Sequence, residues 1–381
     1  MTTALIYDPL FLAHLTPDAH PEQPERLRRV LEVLEALNWM QRADLVHLAP
    51  RAASEQELAL IHKPAYIQRV RHAAERTARL EAESGRQTRF FATDTYICAQ
   101  SYEAAIHAAG APLTALDALL AGQIQNAYCL VRPPGHHALA DGAMGFCLFN
   151  NVAIAARYAI EKYALERVMI IDYDVHHGNG TQDAFYRDPR VLYFSTHQAP
   201  FYPGTGLSDE LGEDAGQGTT VNVPLPACTD AGVYEAVFRQ VLTPIADRFQ
   251  PQLLLVSAGF DAHWTDPLGQ MSLATADFFR LNAIILELAD ALCAGRVVMV
   301  QEGGYNIEAM AACAATCLNQ LLGDDAAVDS LGPAPARELT LNLDVLIGEL
   351  RRIHHLKGYR MRNVPGPDIQ RLRGEVKGPG A

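Results

Sequence analysis

The chain of 381 residues lacks any pairing of its cysteines that would suggest a disulfide framework. Seven cysteines are scattered along it and none forms a CxxC pair, a distribution typical of buried thiols in a reducing compartment. No apolar run reaches the length that crosses a bilayer. Residues 1–7 lack the basic and apolar regions of a secretory signal. These absences predict a cytoplasmic protein with no membrane partner.

The chain also lacks an excess of basic charge. It has 44 acidic and 31 basic residues, for a formal net charge of −13. Because proteins that bind nucleic acids neutralise phosphates with Lys and Arg, this balance predicts no nucleic-acid partner. It mildly favours cationic substrates.

What the chain does have is an alternation of apolar, strand-like runs with helical segments. Such βα repeats predict a mainly parallel sheet with helices on both faces. No repeat or linker divides residues 1–356, which we predict to be one catalytic domain, and residues 357–381 read as a polar, Gly/Pro-rich tail. Residues 84–95 read as a loop. Strands are predicted at 127–131, 168–173, 191–195, 219–223, 253–257 and 296–300, and helices at 25–37, 55–83 (two, around Pro64), 101–120, 151–162, 231–249, 275–294 and 307–322.

The stretch from Val168 to Gly180 joins an apolar strand to a cluster of ionisable groups. In open α/β sheets, ligands bind at the carboxyl ends of the strands. Asp172, Asp174 and His176 are spaced i, i+2, i+4, so in an extended chain they leave on one face. Burying two carboxylates there is costly without a positive charge among them. We therefore predict a divalent metal.

The spacing separates these three groups into two roles. Asp172 and His176 are about 13 Å apart along an ideal strand, too far to share one ion, whereas Asp174 and His176 are about half as far apart. We predict Asp174 and His176 as metal ligands. Asp172 would orient a histidine or hold a second cation. The alternative is an ordinary Asp/His cluster at a solvated loop.

Polar clusters follow four of the strands, at residues 132–137, 172–180, 257–263 and 301–305. Asp261, in the third cluster, completes a site of three protein ligands with one position left for water, which is the pattern of a catalytic zinc. Such a site needs a general base and a donor to the developing oxyanion. The candidates are the histidine pair at 136–137 and Tyr305, although loop histidines and a turn tyrosine are the simpler interpretations.

Several motifs resemble those of the zinc-dependent histone deacetylase / acetylpolyamine amidohydrolase superfamily, in its class II-like bacterial branch. They are HPEQPERL (20–27), RPPGHH (132–137), GFCLFNN (145–151), DYDVHHGNGTQ (172–182), FYPGTG (201–206), GFDAH (259–263) and QEGGY (301–305). The resemblance implies an α/β arginase/deacetylase fold, a single domain with a sheet of about eight strands. It also implies hydrolysis of an N-acetyl or other N-acyl amide, with acetyl-lysine-like substrates expected first.

The resemblance implies one zinc ion per chain. By position, Asp174, His176 and Asp261 look like its ligands. His137 looks like the general base and acid, with His136 beside it on the leaving-group side.

The resemblance also implies supporting roles. Tyr305 looks like the tyrosine that donates to the transition state. Asp172 would pair with His136, and Asn179 would back His137, whose pKa a neutral partner leaves lower than a carboxylate would. A structural potassium site would include Asp172, Ser195 and Thr196.

The implied substrate tunnel has walls at Gly145, Phe146 and Tyr202. Tyr202 stands where Phe is more common and adds a hydroxyl at the rim. Asp94 looks like a rim residue that accepts a hydrogen bond from the substrate. Leu268 stands where a polyamine-selective branch carries an acidic residue, which disfavours strict polyamine specificity.

The expected partner is an acylated lysine or amine, and relatives often form homo-oligomers. Acetylpolyamine hydrolysis, or hydrolysis of another small amide, is the main alternative. A two-manganese, arginase-like hydrolase would need a denser Asp/His set than the single trio seen here. A non-catalytic acyl-lysine binder would need neither His137 nor Tyr305.

Overall fold

Eight parallel strands form the central sheet of the computed structural model, which describes residues 2–361. Two further strands pair antiparallel with each other as a separate hairpin. The strands are β1 (Thr3–Ile6), β2 (Leu45–Leu48), β3 (Thr88–Ala92), β4 (Thr95–Cys98), β5 (Asn126–Cys129), β6 (Val168–Asp172), β7 (Val191–Gln198), β8 (Thr220–Leu225), β9 (Leu253–Ala258) and β10 (Val297–Gln301). The sheet order is β2-β1-β5-β10-β9-β6-β7-β8.

The central strands β6, β9 and β10 are apolar along nearly their whole length, and every residue in them is buried. A strand buried on both faces is a continuous apolar run, because helices cover the two sides of a parallel sheet. In register, Asp172 at the end of β6 lies opposite both Ser195 in β7 and Ser257 in β9. The carboxyl ends of neighbouring strands therefore lie side by side, and the functional loops leave from this edge.

Within residues 2–361, eleven α-helices surround the sheet. They are α1 (Glu25–Ala36), α2 (Glu55–Leu58), α3 (Pro64–Ser84), α4 (Ser101–Leu120), α5 (Asn151–Tyr163), α6 (Asn179–Phe185), α7 (Ala231–Val237), α8 (Thr243–Phe249), α9 (Thr275–Cys293), α10 (Ile307–Leu321) and α11 (Leu343–Ile353). Helices α4 and α5 pack together, as do α9 and α10, and α1 packs against α10. In the described part of the chain, no helix combines the length and apolar character needed to span a bilayer.

The predicted eight-stranded α/β fold is confirmed, but some elements differ from the prediction. Residues 84–95, predicted as a loop, contain β3 and the start of β4, two short strands that pair with each other and pack against α3. The helix predicted at 231–249 is interrupted by a π-helical segment at Phe238–Leu242. Pro244, which follows it, has no N–H to donate to the preceding turn. Of the predicted tail, residues 362–381 lie outside the described residues.

Close packing of α4 against the loop after β2 depends on Gly110. A Cβ atom there would lie 1.8 Å from the carbonyl oxygen of Arg51. We expect Gly110→Ala to lower the free energy of unfolding by about 1–3 kcal/mol, because the backbone must move to make room. Urea unfolding monitored by circular dichroism measures this.

The matched control is Gly348→Ala in α11, where an added Cβ meets nothing within 4 Å. Alanine should raise the free energy of unfolding there by about 0.5–1 kcal/mol, since glycine is a poor helix former. Equal unfolding midpoints for the two variants would contradict the packing argument.

Candidate metal and active site

Three buried side chains converge beyond the carboxyl ends of β6 and β9. Asp174, His176 and Asp261 each offer one ligand atom, and these atoms lie within 4.8 Å of one another. His176 Nδ1 is 3.1 Å from Asp174 Oδ1 and 3.1 Å from Asp261 Oδ2. The structure thus brings together the three residues that the sequence predicted as metal ligands.

Backbone groups hold the two carboxylates of this trio in place. The N–H of Gly303 donates to Asp174 Oδ2 at 2.8 Å, and the N–H of Val175 donates to Asp261 Oδ1 at 2.8 Å. A Cβ atom on Gly303 would lie 2.1 Å from Asp261 Oδ2, and one on Gly259 would lie 2.1 Å from Asp174 Oδ2. Only glycine fits at these positions, so the chain packs directly against the carboxylate oxygens.

The electrostatics of the trio call for a cation. Burial raises the pKa of Asp261, and the neighbouring Asp174 carboxylate raises it further. Two carboxylates this close in a buried site cannot both stay ionised unless positive charge lies between them. Two carboxylates and one imidazole are a donor set that suits a divalent ion such as zinc. The residues present therefore fit the metal that the sequence analysis expected.

Two adjacent histidines face the trio, each with a different partner. His136 Nδ1 lies 3.0 Å from Asp172 Oδ2, and His137 Nδ1 lies 2.8 Å from Asn179 Oδ1. These are the two pairings that the resemblance implied. The ring centroids of the histidines are 4.0 Å apart. One imidazole therefore faces a carboxylate and the other a neutral amide.

These partners give the two histidines different pKa values and therefore different protonation states. Burial lowers the pKa of His136, but the carboxylates of Asp172 and Asp174 outweigh burial and raise that pKa to about 10. Burial and the positive charge of His136 hold the pKa of His137 well below its usual value. The histidine pair thus combines one cationic and one neutral imidazole.

The loop that carries both histidines is fastened by Glu302, a residue to which sequence analysis gave no role. Its Oε2 accepts the N–H groups of Gly135 at 2.6 Å and of His136 at 3.2 Å. Its Oε1 accepts the hydroxyl of Ser257 at 3.2 Å. An acidic residue directly after an apolar strand was the signal available in the sequence.

The turn before α10 places the Tyr305 side chain at the site. Asp266, also missed by sequence analysis, accepts the N–H groups of Tyr305 at 2.6 Å and Asn306 at 2.9 Å. Arg26 donates from Nε to the carbonyl of Gly304 at 2.7 Å, and its guanidinium lies 4.9 Å from the centroid of the Tyr305 ring. The tyrosine is therefore held from both sides.

Arg26 belongs to a buried charge cluster that supports this turn. Glu22 accepts hydrogen bonds from Arg26 Nη1 at 3.1 Å and from Arg132 Nη2 at 2.8 Å, and all three side chains are fully buried. Burial raises the pKa of Glu22, but the two guanidinium groups outweigh burial and lower it to about 2. Glu22 is thus an ionised carboxylate inside the protein.

A cavity of about 280 Å³ leads to the trio. All five residues proposed as tunnel residues line it. The Phe146 ring lies 5.7 Å from the Tyr305 ring, and the Tyr202 ring lies 5.2 Å from the His137 ring. The lining consists of Asp94, His137, Gly145, Phe146, His176, Phe201, Tyr202, Pro267, Leu268 and Tyr305.

The residues expected to hold potassium lie at the end of β6 and within the carboxyl-terminal half of β7. Asp172 Oδ1 accepts the N–H of Asp174 at 3.2 Å, and Ser195 lies opposite Asp172 in the sheet register. Thr196 Oγ1 is buried and has no hydrogen-bond partner among the described residues. Oxygen donors of this kind suit a hard cation.

Comparisons with known proteins agree with this geometry. The profile of the histone deacetylase domain matches residues 20–321. The polyamine deacetylase HDAC10 of Homo sapiens is 42% identical over 338 residues, which cover 86% of this chain and 49% of that protein. The histone deacetylase-like amidohydrolase of Pseudomonas aeruginosa is 39% identical over 310 residues, covering 81% of this chain and 78% of that protein.

A solved structure agrees as well. The HDA15 HD domain superposes with a TM-score of 0.82 at 34% identity, covering 94% of this chain and 95% of that chain. This protein belongs to the histone deacetylase family and is an enzyme of that family. The predicted superfamily and fold are thereby confirmed.

The charge cluster around Glu22 predicts a pH dependence of stability. The pKa of Glu22 lies at about 2 rather than near 4.5, so its contribution is complete above about pH 4.5 and is lost as the pH falls toward 2. We expect Glu22→Gln to lower the free energy of unfolding by about 3 kcal/mol near neutral pH. The difference from wild type should shrink in urea unfolding series at progressively lower pH.

Glu308→Gln is the matched control, because Glu308 pairs with Arg29 at the surface. Glu308→Gln should lower the free energy of unfolding by less than about 1 kcal/mol at neutral pH. If the cost of Glu22→Gln is the same at pH 7 and pH 3, the buried carboxylate does not have the depressed pKa described here.

Proposed function

We propose that this protein hydrolyses N-acetyl and other N-acyl amides carried on linear amines, acetyl-lysine-like substrates first, with one zinc ion held by Asp174, His176 and Asp261. The observation that carries the proposal is the convergence of this trio beside a cavity that His137, His176 and Tyr305 line. When bound, zinc would supply Lewis acidity to a carbonyl oxygen and to water. We place the reaction in the cytoplasm.

His137 acts as the general base. Its Nδ1–H donates to Asn179 Oδ1, which leaves the lone pair of Nε2 available to take a proton from the attacking water. Because its pKa is depressed, the ring is neutral at physiological pH and ready to accept that proton. His137 also lines the cavity, where the water must approach the amide carbon.

Tyr305 donates its phenolic proton in a hydrogen bond to the carbonyl oxygen as negative charge develops there. Burial raises its pKa, so the hydroxyl keeps its proton. Asp266 and Arg26 fix the turn that carries it, and this placement avoids reorganisation during the reaction.

The reaction makes one bond, breaks another and moves one proton through His137. The water oxygen forms a bond to the acyl carbon, and the carbon–nitrogen bond breaks. His137 passes the proton taken from water to the departing amine, while His136, kept cationic by Asp172, stands on the leaving-group side. The acid formed then gives its remaining proton to the amine, so the products are a carboxylate and an ammonium ion. Asp172, Ser195 and Thr196 would hold a structural potassium ion behind these groups.

The cavity walls favour an aliphatic stem. Phe146 and Tyr202 present aromatic faces, and Leu268 is apolar where an acidic residue would favour a polyamine. Acetylpolyamine hydrolysis is the second candidate, supported by the similarity to a polyamine deacetylase. Rates on an acetyl-lysine peptide and on an acetylpolyamine, measured side by side with and without a chelator, test both candidates. The same rates separate both candidates from a non-catalytic acyl-lysine binder, which would hydrolyse neither substrate.

Removal of the proposed base or donor should abolish turnover but not metal binding. We expect His137→Ala and Tyr305→Phe each to reduce kcat by about 10²- to 10⁴-fold, because each removes a proton-transfer or hydrogen-bonding group. Zinc should stay bound, because neither side chain is a ligand. A fluorogenic acetyl-lysine amide reports the rate, and mass spectrometry of the purified protein reports bound zinc.

His107→Ala, on the surface of α4, and Tyr186→Phe, after α6, serve as matched controls that should keep wild-type rates. A kcat near wild type in either His137→Ala or Tyr305→Phe would refute the role given to that residue.

The ligand set makes a separate prediction. Asp174→Ala should lose zinc as well as activity, because the remaining two ligands cannot form a three-ligand site. Asp183→Ala, an exposed carboxylate on α6, should keep both. Finding a full complement of zinc in Asp174→Ala would rule out the proposed trio.

A further inference from the structure

Three loops that are distant in the sequence meet at the mouth of the cavity and are joined by one carboxylate. Asp94 lies in the turn between β3 and β4, Gly145 lies in the loop before α5, and Tyr202 lies in the loop after β7. Asp94 Oδ1 accepts the N–H of Gly145 at 2.9 Å, and Asp94 Oδ2 accepts the hydroxyl of Tyr202 at 2.9 Å. We call these three residues the mouth clasp.

We infer that the mouth clasp determines specificity, with the Tyr202 hydroxyl as its key element. Compared with a mouth that lacks this hydroxyl, it shifts selectivity toward acyl groups on an unbranched amine chain and away from the same group on a lysine with peptide on both sides. This inference rests on the proposed amide hydrolysis at the cavity and narrows its substrate class.

The first argument is the number of hydrogen bonds that Asp94 already accepts. Besides Gly145 and Tyr202, Thr95 Oγ1 donates to its Oδ1 at 3.1 Å. A carboxylate has about four acceptor positions, so little capacity remains. A peptide brings a backbone N–H on each side of the modified lysine to the mouth, and these must compete with Tyr202. An unbranched alkyl chain brings none, so it enters without displacing a bond.

The second argument is the conformation of the wall that the clasp holds. Gly145 has a φ of 55° and Phe146 has a φ of 68°. A positive φ is unfavourable for a residue with a side chain, such as Phe146. The N–H of Phe146 donates to Thr95 Oγ1 at 3.1 Å, next to the bond from Gly145 to Asp94. The hairpin turn therefore keeps the Phe146 wall in place, and Tyr202 ties the opposite wall to the same turn.

The third argument concerns charge. Among the residues that line the cavity, Asp94 carries the only carboxylate. Burial and the nearby Asp94 raise the pKa of Tyr202, so the phenol keeps the proton that it donates. The clasp thus stays closed across the physiological pH range, and opening it exposes a carboxylate oxygen at the mouth.

The test compares two substrates in two tyrosine variants. N-butylacetamide provides the unbranched chain, and a peptide with a central acetyl-lysine provides the branched one. Tyr202→Phe removes only the hydroxyl and keeps the ring beside His137. We expect the ratio of kcat/KM for the peptide to kcat/KM for the amide to rise roughly tenfold, the size of losing one hydrogen bond to a charged group.

Tyr96→Phe is the matched control, because Tyr96 lies on the same hairpin and packs against His20 and Phe90. Its ratio should equal that of wild type. If Tyr202→Phe also leaves the ratio unchanged while it still cleaves both substrates, the clasp does not determine specificity.

Asp94→Asn separates geometry from charge. The amide can still accept from Gly145 and bond to Tyr202, so the ratio should stay closer to wild type than in Tyr202→Phe. A ratio that rises as far as in Tyr202→Phe would overturn the role of the hydroxyl bridge.

Hydrogen exchange tests the mouth clasp independently of turnover. In Asp94→Ala, amides at 145–146 and in the 201–206 loop should exchange faster than in wild type, and unchanged exchange would overturn the clasp. If wild type cleaves neither substrate but the exchange result holds, the proposed function fails while the joining of the three loops by Asp94 stands.

Discussion

The burial of two carboxylates next to each other is the constraint on which the rest of the site depends. Asp174 and Asp261 are almost completely inaccessible to solvent, and both lie against His176. Like charges in a low-dielectric interior repel strongly, so the pair persists only with hydrogen-bond donors and positive charge around it. The parallel sheet supplies the donors, because loops leaving β6 and β10, the strands on either side of β9, bring the N–H groups of Val175 and Gly303 to the carboxylate oxygens.

A second layer of buried charge holds the first. Glu302 fastens the histidine loop through two backbone N–H groups, and Arg26 fastens the Gly304–Tyr305 turn through its carbonyl. Arg26 is in turn paired with Glu22. Each of these charges is satisfied by a partner, which is the condition for tolerating it inside a protein. The supports of the site are thus specific hydrogen bonds and one buried ion pair, an arrangement that suits chemistry depending on preorganised dipoles.

The fold and the convergence of Asp174, His176 and Asp261 could be predicted from the sequence for a physical reason. Asp174, His176 and Asp261 follow apolar strands directly, so strand periodicity and the edge of a parallel sheet place them. Glu302 and Asp266 were missed because their partners are backbone N–H groups of distant loops, which leave no pattern in side-chain spacing. The β3–β4 hairpin was missed because its short strands depend on pairing rather than on local periodicity.

The histidine pair shows how surroundings give identical side chains different chemistry. His136 and His137 are adjacent and both are buried, so burial alone would lower both pKa values. Asp172 reverses that effect for His136, and the cation so produced lowers the pKa of His137 further. Asn179 fixes the tautomer of His137 without adding charge. A carboxylate at that position would raise the pKa of His137, so the neutral amide helps to keep that imidazole free to accept a proton.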